Sequence, residues 1–248
     1  MSPYVAEFVG TALLLLLGDG VVANVILKGT KGEGAGWITI TWGWGMAVFV
    51  AVFVTAAYSG AHLNPAVTVG LATAGKFGWA MVPGYVVAQT LGAMAGAFLV
   101  WLQYRAHLDL TDDPDTQLAV FATGPAIRDA VGNVVSEVIG TFVLVFGVLY
   151  LAAPSVAGPD GDPGGLGALD ALPVGLLVLV IGLSLGGTTG YAINPARDFG
   201  PRVMHALLPM KGKGPSDWGY AWVPVVAPLL GGVLAALAYA ALGSNVPA

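Results

Sequence analysis

The chain has 248 residues, of which 56% are apolar and only 9% charged, whereas a soluble domain carries roughly a quarter charged residues. Its formal net charge is −5 and its 9 Lys and Arg are scattered through connecting segments, which excludes a basic face for nucleic acid. With no cysteine it can form neither a disulfide nor a thiolate metal site.

The first apolar run covers residues 4–27 behind an uncharged Met1-Ser2-Pro3, and is expected to be a retained membrane helix rather than a cleaved export signal. Further long runs follow at 37–58, 80–104, 130–153, 169–187 and 219–242. Each is close to the roughly 20 residues that a helix needs to cross hydrocarbon. Two segments, 64–75 and 194–206, are too short to span, and each opens on Asn-Pro-Ala. Gly/Pro/Asp-rich stretches at 28–36, 105–129, 154–168 and 207–218 read as loops. The predicted fold is all-α: six transmembrane helices and two re-entrant half-helices.

An internal repeat organises these elements. Ala6-Glu7-Phe8-Val9-Gly10-Thr11 is echoed by Ser136-Glu137-Val138-Ile139-Gly140-Thr141. Glu7 to Glu137 and Asn64 to Asn194 share one offset of 130 residues, which unrelated motifs would not do by accident. The third spans match at 139, Gly92-Ala93 against Gly231-Gly232, which puts about nine extra residues in the 207–218 loop. Three spans per half is an odd number, so the halves, about 1–105 and 130–242, are expected to insert with opposite orientation as one channel domain.

Asn is a strong helix N-cap, and Pro suits the first turn because its φ is fixed near the helical value and its missing N–H is not needed there. Asn64-Pro65-Ala66 and Asn194-Pro195-Ala196 therefore open helices inside the membrane. Such a start leaves backbone N–H groups unpaired and a positive end of roughly half a charge, tolerable only beside a polar cavity. Two inverted starts would meet near the midplane, each Asn offering amide donors to a passing hydroxyl while repelling cations, hydronium included. A neutral, hydroxylated permeant is predicted.

Ser59-Gly60-Ala61-His62-Leu63-Asn64-Pro65-Ala66-Val67-Thr68 and Gly190-Tyr191-Ala192-Ile193-Asn194-Pro195-Ala196-Arg197-Asp198-Phe199-Gly200-Pro201 resemble the two signature loops of the aquaporin, or major intrinsic protein, family. The resemblance extends over nearly the whole chain, and Asp198 directly after Arg197 is similar to the glycerol-conducting branch. It implies a passive pore for glycerol and water, with urea, dihydroxyacetone or peroxide as further permeants, and neither cofactor nor metal. A homotetramer in the cytoplasmic membrane with both termini cytoplasmic is also implied, its helix packing helped by Gly92, Gly96, Gly231 and Gly232. The selectivity filter it assigns is Trp44, Gly182, Tyr191 and Arg197, with Tyr191 where Phe is common. An ungapped count back from His62 selects Trp44, although Trp42 sits in a similar Trp-Gly context. Water-selective members commonly carry histidine at the place of Gly182; its absence leaves room for a carbon backbone. Carbonyls of Gly60, Ala61, His62, Gly190, Ala192 and Ile193 are the implied acceptors along the path.

Other buried polar residues have structural readings. Glu7 and Glu137 are candidate proton relays, but their symmetric placement suits bracing the two loops by accepting backbone hydrogen bonds. Asp198 falls in the first turn of a half-helix, where the helix dipole favours a carboxylate. Asp19 has no counterpart, since position 149 is Leu, and as an intramembrane acid it should face a partner or a wet surface.

Two other functions match parts of the sequence. Gly182-Leu183-Ser184-Leu185-Gly186, followed by Asp198 and His205, matches the order of a serine hydrolase, but without the strand-turn-helix context that its nucleophile needs. An ion-coupled transporter would need titratable groups along the path, for which the two glutamates are the candidates. Charge bias points against the implied topology: Lys28, Lys31, Arg105, Arg128, Lys211 and Lys213 would lie outside and mainly Lys76 inside, and the 154–168 loop with Asp160 and Asp162 carries no Lys or Arg.

Overall fold

The computed structural model describes residues 1–151, 156–157 and 163–243, and Asp160 and Asp162 lie outside these. Its helices, in chain order, are α1 Pro3–Ile26, α2 Gly36–Ser59, α3 Pro65–Thr73, α4 Val82–Leu110, α5 Pro114–Phe121, α6 Ala130–Tyr150, α7 Leu172–Leu185, α8 Pro195–Leu207 and α9 Val223–Leu242. Short 3-10 turns, Trp79–Met81 and Gly167–Ala171, lead into α4 and α7. Val156–Ala157 pairs antiparallel with Pro163–Gly164. Counting those turns, six helices of 19 to 32 residues are long and apolar enough to cross a membrane, and α3 and α8 are the two half-helices.

Proline sets most of the starts: α1, α3, α4, α5, α7, α8 and α9 each carry one in their first two positions, where no intrahelical N–H is lost. The spanning helices are apolar on both faces. Leu91, Leu102, Val131, Val180 and Leu237 are exposed on the outer surface, as lipid contact requires, while the inner faces use small residues.

The glycines of the repeat are occupied within the chain. A Cβ on Gly92 or Gly96 would stand 2.3 Å from the Phe8 carbonyl oxygen or 2.5 Å from that of Ala12. On Gly231 or Gly232 it would stand 2.6 Å from the Val138 or the Ala66 oxygen. These bare positions let α4 lie against α1, and α9 against α6 and α3, so the packing they serve is within one subunit.

Boundaries differ from expectation in three places. α4 runs on to Leu110, and the expected loop 105–129 contains α5. That eight-residue helix starts because the Asp113 side chain accepts from the Asp115 N–H next to Pro114; it is too short and polar to show an apolar period. α9 begins at Val223, the preceding Trp218–Trp222 forming turns.

Candidate functional site

Two short extended loops, 60–63 and 190–193, lead into the half-helices, and their backbones follow one plan. Gly60, Ala61 and Leu63 have φ of 78°, 48° and 52°; Gly190, Tyr191 and Ile193 have 79°, 38° and 42°. Left-handed backbone at non-glycine residues costs about 1–3 kcal/mol each and persists only where the surroundings hold it. Glu7 supplies that hold for the first loop, accepting from the Ser59 hydroxyl (2.7 Å) and the His62 (2.9 Å) and Leu63 (2.7 Å) N–H groups. Glu137 does the same for the second, accepting from the Thr189 hydroxyl (2.7 Å) and the Ala192 (2.9 Å) and Ile193 (2.8 Å) N–H groups. Both carboxylates are buried and taken up by loop donors.

The half-helices meet end to end. Asn64 Oδ1 accepts from the Ala66 N–H (2.8 Å), and Asn194 Oδ1 from those of Ala196 (3.0 Å) and Arg197 (3.2 Å). Each amide then reaches across: Asn64 Nδ2 donates to the Ile193 carbonyl and Asn194 Nδ2 to the Leu63 carbonyl, both at 2.8 Å. Pro65 and Pro195 hold the first helical positions, with Ala66 and Ala196 buried beneath. The Ile193 carbonyl, expected along the path, is thus engaged by Asn64.

Two cavities lie along these loops. One stretch of lumen passes both Asn residues; it is lined by loop residues Gly60, Ala61, His62, Ala192 and Ile193 and by apolar Leu14, Val48, Val52, Val67, Leu144, Val148 and Val178. The second opens beside Trp37, Ile40, Ala119, Gly124 and Gly190. Trp44, Tyr191 and Arg197 line both, so the neck between the cavities lies at these three residues. The Arg197 guanidinium stacks 4.2 Å over the Trp44 ring, and its Nη1 stands 3.5 Å from Asp19 Oδ1. Trp44 is 4% exposed and Trp42 49%, which separates the two tryptophans. Gly182 lies behind Tyr191: a Cβ there would stand 2.9 Å from the ring carbon that carries the hydroxyl. Trp37 backs the pair, donating from Nε1 to the Gly182 carbonyl (3.1 Å) and meeting the Tyr191 ring edge-on at 5.8 Å.

Around α8 the loop is anchored by charge. Asp198 accepts from the Thr123 N–H (2.8 Å) and hydroxyl (2.6 Å), and from Arg202 Nε (2.8 Å) and Nη2 (2.9 Å). Arg202, fully buried, also donates to the carbonyls of Thr123 (2.8 Å), Ser216 (2.9 Å) and Asp217 (3.1 Å). Around α3 an amide takes the place of the arginine: Gln89 Nε2 donates to Glu7 (2.8 Å) and to Thr68 Oγ1 (2.9 Å), and His62 Nδ1 lies 3.1 Å from the same hydroxyl. The His62 ring packs with Phe77 and Tyr85. Sequence reasoning missed Arg202 and Gln89, although an arginine four residues after a half-helix aspartate was a readable signal.

The hydrolase pattern is dispersed. Ser184 sits exposed on α7, Asp198 is bound to Arg202, and the His205 Nδ1 partner is Ser216 Oγ at 2.9 Å.

A family profile described as Major intrinsic protein matches residues 1–239. A probable glycerol uptake facilitator protein of Thermotoga maritima is 58% identical over 239 residues, covering 96% of this chain and 98% of that one. A glycerol uptake facilitator protein of Streptococcus pneumoniae is 52% identical over the same shares of the two chains. Among solved structures, the aquaglyceroporin from Plasmodium falciparum superposes with a TM-score of 0.77 at 34% identity, covering 98% of this chain and 95% of that one.

Proposed function

The chain belongs to the major intrinsic protein family, and we propose that its selectivity is set at the neck between Trp44, Tyr191 and Arg197. It is a multi-pass membrane channel for glycerol. The carrying observation is the mixed lining of the lumen, which combines the two loops and Asn64 and Asn194 with aliphatic side chains of the helices.

Glycerol has hydroxyls on one edge and carbon on the other. A hydroxyl stripped of water without replacement costs roughly 1–3 kcal/mol, enough to slow passage up to about a hundredfold. The loop carbonyls of Gly60, Ala61, His62, Gly190 and Ala192 accept those hydroxyls, and Arg197 and the Asn amides donate to them. Trp44, Tyr191 and the valines take the carbon edge. Gly182 supplies width through the Tyr191 ring that it receives. Glu7, Glu137 and Asp198 hold the loops, and no step in the passage uses them as proton carriers.

Ions and protons are excluded, because two positive helix ends and the Arg197 guanidinium face the axis. Vesicles carrying the protein are expected to equilibrate glycerol while keeping an imposed pH gradient; a gradient that collapses as fast as glycerol enters would overturn this. Water passes the same neck, and urea, dihydroxyacetone and peroxide are small enough to be tested in the same light-scattering assay. The channel is a single domain, 1–248, made of two inverted repeats, about 1–105 and 130–242, and it assembles as a homotetramer in the cytoplasmic membrane. Native mass spectrometry of detergent-purified protein should show four copies, and a monomer would refute the assembly. Both termini are assigned to the cytoplasm on the family resemblance against the charge bias. Because the chain has no native cysteine, a single one placed at Lys31 or Lys76 reports the orientation by impermeant labelling. External labelling is expected at 31 and not at 76.

A further inference from the structure

The filter arginine has a partner that the loops do not supply. Asp19 is fully buried on α1, and its Oδ1 lies 3.5 Å from Arg197 Nη1. Both Asp19 oxygens and Arg197 Nη1 are buried without a hydrogen bond among the described residues. The other buried acids near the neck are already engaged: Asp198 by Arg202 and Thr123, Glu137 by the 190–193 loop. A buried carboxylate left without a partner is expensive, so its place on α1 requires the cation it faces.

The repeat gives an internal control. By the offset of 130, Arg197 corresponds to Val67 and Asp19 to Leu149, and Val67 and Leu149 are both buried in one apolar cluster. At one end of the lumen the acid and the base occur together; at the other both are absent together.

We propose that Asp19 is a positioning residue of the selectivity filter, holding the Arg197 guanidinium against the Trp44 face and so keeping the neck wide enough for glycerol. This rests on the placement of Arg197 in the neck. Without the carboxylate the guanidinium keeps only its stacking on Trp44, and it turns into the lumen to find hydrogen-bond acceptors. That movement obstructs a three-carbon polyol more than it obstructs water.

The test is the ratio of glycerol to water permeability in the same vesicles, a quantity in which the number of inserted channels cancels. Four proteins are compared: the parent, Asp19→Asn, Arg197→Val, and the two together. Asp19→Asn should lower the ratio at least about fivefold in the parent and change it less than about twofold in the Arg197→Val background, as coupling through one contact requires. A ratio for Asp19→Asn within about twofold of the parent, or an equal shift in both backgrounds, overturns the proposal. If Arg197→Val itself leaves the ratio unmoved, the filter assignment fails and the proposal fails with it. Should Asp19→Asn not insert at all, Asp19→Leu combined with Arg197→Val, which copies Leu149 and Val67, decides the matter. Insertion of that pair supports the proposal, and its failure assigns Asp19 a structural role independent of Arg197.

Discussion

The loops before α3 and α8 share their backbone almost residue for residue, yet they end in different chemistry. Ser59 and Thr189, Gly60 and Gly190, and Asn64 and Asn194 do the same work 130 residues apart, each loop hung from one buried glutamate. Where the halves diverge, Ala61 stands opposite Tyr191, Val67 opposite Arg197, Thr68 opposite Asp198 and Ala72 opposite Arg202. On the first side the replacements are small and neutral, and Val67 joins the leucines and valines that line the lumen. On the second side they are large or charged, and that end is the neck. The shared backbone places the loop carbonyls and the helix ends, while the proposed selectivity neck is built from side chains that the two copies do not share.

That division can be broken by mutation. The largest effect is expected at Arg202, whose replacement by Leu leaves Asp198 a buried charge held by Thr123 alone and frees three carbonyls; the cost should be about 3–5 kcal/mol, read as a fall in thermal stability in detergent. A loss no larger than that of Thr68→Val would mean that the arginine does not anchor the second side more firmly than the amide anchors the first.

Gly182→His comes next. The new Cβ pushes on the Tyr191 ring and drives it into the neck, so glycerol should slow about thirtyfold to a hundredfold, an obstruction of roughly 2–3 kcal/mol, with water affected far less. The corresponding change away from the neck, Val52→His, should cost glycerol less than about threefold. Paired permeability measurements check both, and equal slowing would erase the distinction between the two ends.

Where the copies agree, effects should agree. Gly60→Ala and Gly190→Ala each force an L-residue to a φ near +78° in otherwise uncrowded space, the nearest atoms lying 3.8 and 3.5 Å from the new Cβ. Each should destabilise by about 1–2 kcal/mol, and melting curves that differ between them would show that the loops are not equivalent scaffolds. Smallest is Thr68→Val, which removes a hydroxyl shared by Gln89 and His62 and should cost about 1 kcal/mol in the same melt.

Most of the fold was legible because a bilayer leaves a chain few choices: six apolar runs, two Asn-Pro-Ala helix starts and a fixed offset are one-dimensional signals. Gly92, Gly96, Gly231 and Gly232 were recognised as close-packing positions, but sequence could not say whether the helix approaching them belonged to the same subunit. Trp44 and Trp42 differ by two positions on one helix, and only packing against Gly18 and Arg197 distinguishes the buried one. Asp19 was visible as an anomaly without a role, since its partner lies 178 residues away on another element. The α5 turn was hidden by its length and polarity.

The crossed amide bonds at the centre also impose an order on biosynthesis. The Leu63 carbonyl and the Asn64 amide have their partners 131 and 129 residues downstream, on the loop before α8. While the chain is being made, Glu7 and Gln89 can already hold the first loop, but the Leu63 carbonyl and the Asn64 amide lack their final partners, and closing contacts of such separation carries the entropy of a long loop. Those two groups at the tip of the first re-entrant helix must stay hydrated until the second arrives. The lumen is consequently a product of the last stage of folding rather than a groove formed early and lined later.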